Sequence, residues 1–192
     1  MQYSPKAQEI IQRANELIAA GGYNGFSYAD IAELVEVRKA SIHHHFPSKA
    51  DLVKATVVVH RNATRAGLQA LDDAVPDALD RLVAYSRFWA ECIEKASPPI
   101  CICALLAAEL PSVPAEVAEE VKGHFDELHA WIASTLEEGA SKGVIELRDN
   151  PASEAVTFVA SIHGAMLAAR AAGEASLFWT IARTATDRLK AS

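Results

Sequence analysis

The sequence predicts an all-α protein of about nine helices. Apolar residues recur at the three- and four-residue spacing of helices along most of the 192 residues. No stretch longer than a few residues alternates polar and apolar side chains as a strand would, and no internal repeat is present. We expect an N-terminal three-helix domain over residues 1–50 and a larger helical domain over residues 51–192.

The first helix has clear start and stop signals. Ser4 is a suitable N-cap, Pro5 occupies the first helical position, and Gly21 and Gly22 end the helix. The side chains predicted to share its buried face are Ala7, Ile10, Ala14, Leu17 and Ile18.

Two short helices follow. Ser27 and Asp30 form a capping-box pattern before a helix of about two turns, in which Ile31 and Leu34 are expected to be buried. Four residues, "VEVR", then lead into a third helix over residues 39–46.

The later helices are longer and are separated by proline and glycine. Ser48 begins the fourth helix with a second capping box to Asp51. The remaining predicted helices run from Pro76 to about Ala96, from Pro98 through "ICICALLAAEL", from 111–114 to about Gly143, from Asn150-Pro151 to about Ala172, and over 175–190.

Composition and charge indicate an intracellular protein. No apolar run approaches the roughly 20 residues that span a bilayer, and the N-terminus lacks a secretory layout. Three cysteines without a disulfide spacing fit a reducing compartment, so we expect a cytoplasmic protein without membrane contact. The net charge of −7 falls entirely in residues 61–192, because residues 1–60 carry six basic and six acidic residues. Positive groups on one face of the first segment could therefore still bind nucleic acid.

The second and third helices fit a helix-turn-helix, whose second helix enters the DNA major groove. In the third helix Ile42 and Phe46 should face inward. Arg38 and Lys39 suit guanine or phosphate. The outward or flanking side chains are Lys39, Ser41, His43 and His44, with Ser27, Tyr28 and Lys49 placed to approach phosphates.

Three consecutive histidines, residues 43–45, invite a metal-site hypothesis. Successive helical side chains point about 100° apart, whereas a metal-binding pair needs i,i+4 spacing. We therefore predict no metal site at this run and no cofactor. One histidine would pack or cap while others meet the DNA backbone; plain surface histidines are the alternative.

The stretch "GFSYADIAELVEVRKASIHHHFPSKADLV" resembles the DNA-binding segment of the TetR family of bacterial transcriptional regulators. The resemblance implies operator contacts from Ser27, Tyr28, Arg38, Lys39, Ala40, Ser41, His43, His44 and Lys49. Among these, His44 and Lys49 would bind phosphates. Three positions depart from the family pattern: Glu36 replaces the usual turn glycine, Arg38 a Ser or Thr, and His43 a Tyr. We expect the docking geometry to hold, but not any particular operator sequence.

Residues 55–192 match the family in length and helicity, and in the family this part dimerises and binds a small molecule. Two late helices rich in small residues suit a homodimer contact; closure of the monomer's own core is the alternative. The residues proposed there are Phe158, Ala160, Ile162, Gly164, Ala165, Met166, Ala168, Leu177, Phe178, Trp179 and Ile181. A mixed set of aromatic and polar residues suits a ligand pocket or an ordinary core: Phe88, Trp89, Cys92, Phe125, His129 and His163.

The cysteines raise a further hypothesis. If a helix begins at Pro98, Cys101 lies in its first turn, where the helix dipole lowers a thiol pKa. Cys101 and Cys103 would point about 200° apart and could not chelate together. Cys92 would be the better disulfide partner of Cys101. The alternative is that all three are small buried residues.

These observations predict a ligand-responsive repressor that binds a palindromic operator as a homodimer and is released by a small-molecule inducer. The alternatives are a thiol-based sensor using Cys101, which we include among the ligand-site residues, and a helical scaffold without DNA binding. An enzyme is disfavoured, because the chain lacks a dinucleotide-binding fingerprint, a P-loop and a nucleophile elbow, and no catalytic residue is predicted.

Overall fold

The computed structural model describes residues 3–97 and 99–191, and these form nine α-helices and one short 3-10 helix at Leu110–Ser112. The helices are α1 (Pro5–Gly21), α2 (Tyr28–Leu34), α3 (Lys39–His45), α4 (Lys49–Ala74), α5 (Ala78–Glu94), α6 (Ile102–Ala108), α7 (Ala115–Ser141), α8 (Pro151–Ala172) and α9 (Ala175–Asp187). An isolated β-bridge joins Ile145 and Lys190. The predicted all-α class is confirmed.

The helices divide between two compact units. The first unit comprises Met1–Ala63 and Cys101–His124, and the second comprises Thr64–Ile100 and Phe125–Ser192. Because α4 and α7 each contribute to both units, the division differs from the predicted boundary near residue 50. The domain boundary near residue 50 stays a prediction.

The predicted helix starts are formed by side-chain caps. The Ser4 hydroxyl accepts a hydrogen bond from the Ala7 amide at 3.3 Å. Asp30 accepts from the Ser27 amide at 2.6 Å while the Ser27 hydroxyl caps α2. Ser48 and Asp51 repeat the arrangement ahead of α4. Each cap satisfies amides that have no partner inside the helix, which is why these short polar motifs mark the helix starts.

Three local predictions are corrected. Leu34 is 47% exposed rather than buried, because Val35, one residue later, fills the inward position four residues after Ile31. The sixth helix begins at Ile102, not at 98, and Pro98 itself lies outside the described residues. The last helix ends at Asp187, three residues before the predicted end.

The turn between α2 and α3 ends α2 with a left-handed residue. Glu36 has φ of 53°. The Val37 amide donates to the Ala32 carbonyl at 3.0 Å, and the Glu36 amide donates to the Glu33 carbonyl at 3.3 Å. This is the Schellman arrangement, in which glycine normally occupies the left-handed position. The turn geometry is therefore kept, although Glu36 adopts a backbone conformation that is strained for a residue with a Cβ.

The first unit also joins α1 to the end of α6. The Glu109 carboxylate accepts a hydrogen bond from the Tyr23 amide at 2.6 Å. Gly22, the C-cap of α1, has φ of 74°, and a Cβ at this position would collide with the same carboxylate. The positive backbone angle is what calls for glycine here, because the carboxylate is the end of a flexible side chain that an added Cβ would displace.

In the second unit, α9 packs against α5 and α8. A buried arginine, Arg81 of α5, binds Asp72 at 3.2 Å and Glu138 at 2.7 Å. The Trp131 indole also donates to Asp72, at 2.9 Å. This network fixes the end of α4 against α5 and α7 within the unit.

Candidate nucleic-acid interface and regulatory sites

The outer face of α3 is polar and exposed. Ile42 and Phe46 are buried at 0% and 4% exposure, as the sequence predicts. The predicted DNA-contact residues of this helix that are exposed are Arg38, Lys39, Ala40, His43 and His44, and Ser41 is half-buried. The helix is thus held by its apolar side and presents cations and small side chains to solvent.

Tyr28 braces this helix from within. The side chain is 6% exposed, and its hydroxyl lies 2.8 Å from the Phe46 carbonyl and 2.5 Å from the Ser48 carbonyl, to either of which it can donate its proton. Its ring lies 4.7 Å from that of His43. Burial raises the pKa of Tyr28, with a smaller contribution from the charge of Asp51. The structure therefore gives Tyr28 a positioning role, and a DNA contact from it stays a prediction.

His43 is held as well. Its Nδ1 lies 3.1 Å from the carbonyl oxygen of Pro47, just after the helix. The ring of His44, in contrast, is exposed and lies 5.5 Å from the neighbouring ring of His45. Contacts of His43 and His44 with the DNA backbone stay predictions.

Lys49 faces the protein rather than the solvent. Its ammonium donates to the Phe26 carbonyl and lies 4.2 Å from the Phe26 ring centre and 5.0 Å from that of Tyr23. Burial lowers the pKa of Lys49. The cation fastens the segment before α2 to the start of α4, so phosphate binding by Lys49, which stays a prediction, would require the side chain to leave these aromatic faces.

The predicted pocket residues of the second unit differ in exposure. Trp89, Cys92 and His163 are buried, whereas Phe88 is 57% exposed. Phe125 and His129 are half-buried, and the Phe125 ring lies 5.3 Å from that of His163. Burial raises the pKa of the Cys92 thiol. Phe88 therefore lies at the surface, and the buried part of the set is smaller than predicted.

Two of these buried residues carry unsatisfied polar atoms. Trp89 Nε1 and both ring nitrogens of His163 have no hydrogen-bond partner within residues 3–97 and 99–191. Buried polar groups are normally hydrogen-bonded, and leaving one unpaired costs about 1–3 kcal/mol. These atoms are therefore available to a bound polar group.

The surface of α8 is apolar and open. Val156 and Leu167 are 52% and 47% exposed, and a Cβ added at Gly164 would meet open space. The exposed residues Ala160 and Ala171 continue the same helical stripe. The expectation that no apolar run approaches bilayer length is corrected by α8, which is long and apolar enough to span a membrane by length and composition alone. Nevertheless, 44% of the relevant segment is buried inside the protein, as in the core helix of a soluble protein.

The residues predicted for the dimer contact divide into two groups. Phe158, Ile162, Ala165, Met166 and Phe178 are buried within their own unit, and for these the alternative of closing the monomer's core is the correct one. The others are exposed or half-buried: Ala160, Gly164, Ala168, Leu177, Trp179 and Ile181. Val156 and Leu167, which the sequence-based set did not include, are also exposed apolar residues of α8.

The two nearby cysteines do not lie on one helix. Cys101 is the N-cap of α6, with an extended backbone (φ −65°, ψ 122°), and Cys103 lies inside the helix. Their predicted divergence by about 200° therefore does not apply. Cys101 Sγ lies 3.6 Å from His60 Nε2 and 3.7 Å from His124 Nε2. In the described chain the three cysteines carry thiols and no disulfide.

Burial sets the chemistry of these thiols. Cys101 and Cys103 have 0% exposure. Burial, followed by a hydrogen bond with Cys101, raises the pKa of Cys103 well above its usual range. Reactive cysteines are normally at least partly exposed. The thiol-sensor hypothesis for Cys101 stays a prediction, and the structure gives reagents no open access to its sulfur.

An exposed helix-turn-helix on a helical body defines a DNA-binding regulator. A model described as "Bacterial regulatory proteins, tetR family" matches residues 10–56, and one described as "Tetracyclin repressor-like, C-terminal domain" matches residues 78–185. The chain therefore belongs to the TetR family. Its members are transcriptional regulators rather than enzymes; they bind DNA and small-molecule ligands and function as dimers.

Solved structures agree with this assignment. A TetR-family transcriptional regulator from Agrobacterium tumefaciens is 46% identical, covers 97% of this chain and 98% of its own, and has a TM-score of 0.95. A TetR regulator from Legionella pneumophila is 25% identical, with coverage of 99% and 100% and a TM-score of 0.87. The reduced form of E. coli NemR, 18% identical with coverage of 98% and 99%, shares the fold with a TM-score of 0.85. No curated protein sequence matches the chain.

Proposed function

We propose that this regulator is a cytoplasmic homodimeric repressor that binds a palindromic operator through α3 and is released by a small-molecule inducer bound in the second unit. The observation that carries the proposal is the division of α3 into a buried apolar side and an exposed side with Arg38 and Lys39 at its start. Side chains at the N-terminal end of a recognition helix are those that reach base edges in the major groove. The scaffold alternative gives no reason for this exposed cationic face.

A dimer is required because a palindromic operator has two half-sites. The exposed apolar stripe of α8, which we define as Val156, Ala160, Gly164 and Leu167, is the surface we assign to the partner. A stripe with a glycine and an alanine allows close helix approach. Pairing of α8 with α8 of a second copy would also explain why this helix is apolar on nearly all sides. The two recognition helices would then meet half-sites about 34 Å apart, or a multiple of that distance.

The unsatisfied polar atoms of Trp89 and His163 support an inducer site in the second unit. Trp89 Nε1 can only donate, so it calls for an acceptor, whereas a His163 nitrogen can donate or accept. An inducer with an apolar body and a hydrogen-bond acceptor would satisfy Trp89 Nε1, or the N–H of the His163 ring. It must bind the DNA-free conformation more tightly than the DNA-bound one, or the equilibrium does not shift.

Fluorescence anisotropy with a labelled duplex from the promoter of the protein's own gene tests the DNA-binding part. Lys39→Ala should weaken specific binding by about 1–3 kcal/mol if Lys39 reads a base, and should reduce the salt slope by about one if it binds a phosphate. Lys95→Ala is the matched control, because it removes the same charge from an exposed site at the end of α5. Equal binding by both variants and the wild type would refute the assignment of α3.

A further inference from the structure

We propose that the first unit carries a tetrahedral zinc site whose four ligands are His60, Cys101, Cys103 and His124. The donor atoms of these side chains all lie within 4.8 Å of one another. They come from α4, from the start of α6 and from α7. This proposal stands apart from DNA binding and ligand release, and it revises the expectation of no metal site.

The distances are close to those that zinc requires. With Zn–S of about 2.3 Å and Zn–N of about 2.05 Å, a tetrahedral site places sulfur and nitrogen about 3.6 Å apart. Cys101 Sγ lies 3.6 Å from His60 Nε2 and 3.7 Å from His124 Nε2. The widest pair in the cluster, at no more than 4.8 Å, has to close by roughly an ångström. Small side-chain rotations provide a movement of that size.

The donor set selects the type of ion. Two sulfurs with two imidazole nitrogens are ligands for zinc, whereas Mg²⁺ and Ca²⁺ prefer oxygen. Two thiolates neutralise the charge of Zn²⁺ and two neutral imidazoles add none, so the complex has no net charge. This matters because Cys101, Cys103 and His124 are at most 3% exposed, and an uncompensated charge at such depth is costly.

The backbone brings these ligands together without strain in α6. Cys101 precedes the helix and has extended backbone angles, so its side chain is released from the helical spacing that would separate it from Cys103. His60 is half-buried, so its side of the cluster is the one nearest to solvent. Bound zinc would fasten α4, α6 and α7 at one point. At the other end of α6, the carboxylate of its C-cap residue Glu109 accepts a hydrogen bond from the Tyr23 amide.

The first test uses the full-length wild-type protein after removal of metals with a chelator. Titration with Co²⁺ should produce the intense visible bands of a tetrahedral ion together with thiolate-to-cobalt charge transfer. Zn²⁺ should then abolish them with one equivalent per chain. A weak octahedral spectrum, or no spectrum, would overturn the proposal without recourse to any variant.

A pair of cysteine variants locates the site. Cys103→Ser removes one ligand with little change in volume, and Cys92→Ser makes the same change at a buried cysteine of the second unit. Competition with a chromophoric chelator should show at least about a 100-fold loss of zinc affinity for Cys103→Ser, since even changes behind the ligands cost 10- to 100-fold. Cys92→Ser should bind as the wild type does. Equal affinities for the two variants would overturn the assignment.

Thiol alkylation provides a measurement that does not depend on whether Cys103→Ser folds. In the wild-type protein, Zn²⁺ should protect Cys101 and Cys103 from a maleimide under mildly denaturing conditions, and Cys92 should react at the same rate with or without zinc. Mass spectrometry of the modified peptides distinguishes the three sites. Unchanged labelling of Cys101 and Cys103 would mean that the cluster is a pair of thiols and not a metal site.

Discussion

Replacing Glu36 by glycine should stabilise the protein. The left-handed region costs an ordinary L-residue about 1–2 kcal/mol, and Glu36 sits in it with φ of 53°. Glycine removes this strain but loses more backbone entropy on folding, and this loss destabilises the folded state by about 0.5–1 kcal/mol. The net gain expected for Glu36→Gly is therefore about 0.5–1 kcal/mol. In a chain of this size it corresponds to a rise in Tm of about 1–4 °C.

The control is Glu36→Ala, which removes the same charge but keeps a Cβ at the strained position. Thermal unfolding followed by far-UV circular dichroism, at one protein concentration, should rank Glu36→Gly above both Glu36→Ala and the wild type. Ala96 has φ of 52° at the end of α5, so Ala96→Gly should show a similar gain in the second unit. If Glu36→Gly were no more stable than Glu36→Ala, the backbone argument would be wrong. Operator affinity should change by the same factor in the two Glu36 variants, because both remove the same negative charge relative to the wild type.

Two further predictions concern the second unit. Leu167→Glu places a charge on the exposed stripe of α8 and should shift the protein to monomer in sedimentation velocity, while the same change at Leu110, 41% exposed in the first unit, should leave the dimer intact. Arg81→Met leaves the carboxylates of Asp72 and Glu138 without their buried partner. It should lower the free energy of unfolding, measured in urea, by about 2 kcal/mol. This is less than the loss for a fully buried pair, because the two carboxylates are one-third exposed. Hydrogen bonds from Lys142 and then Arg81 hold the pKa of Glu138 below its usual value. This contribution to stability is present above the ordinary carboxyl pKa and is lost as pH falls through the lowered one, so the difference between Arg81→Met and wild type should shrink in acid; a difference independent of pH would contradict this reasoning.

The helix-turn-helix could be predicted because its signals are local. Caps such as Ser27 with Asp30 act within four residues, and the inward pair Ile42 and Phe46 follows from helical spacing alone. The position of Glu36 at the left-handed turn also follows from the family pattern, and its positive φ confirms that the bend is kept without glycine.

The roles of Tyr28 and Lys49 could not be read in the same way. Both belong to the predicted DNA-contact set, yet Tyr28 donates to carbonyls 18 or 20 residues away and Lys49 binds the carbonyl of Phe26, 23 residues away. A polar side chain at a helix start can reach phosphate or fold back onto its own chain. Only the positions of its neighbours in space decide between these outcomes.

The helical class, the order of the helices and the outward face of α3 could be predicted from the sequence, since hydrogen bonds and side-chain spacing within single helices encode all three. Packing between helices sets which apolar face of α8 is covered and which polar atoms at Trp89 and His163 are left unsatisfied. It also brings His60, the two cysteines of 101–103 and His124 to one point from three separate helices. Such a cluster has no fixed spacing along the chain, because its members are joined only by the packing of helices distant in sequence.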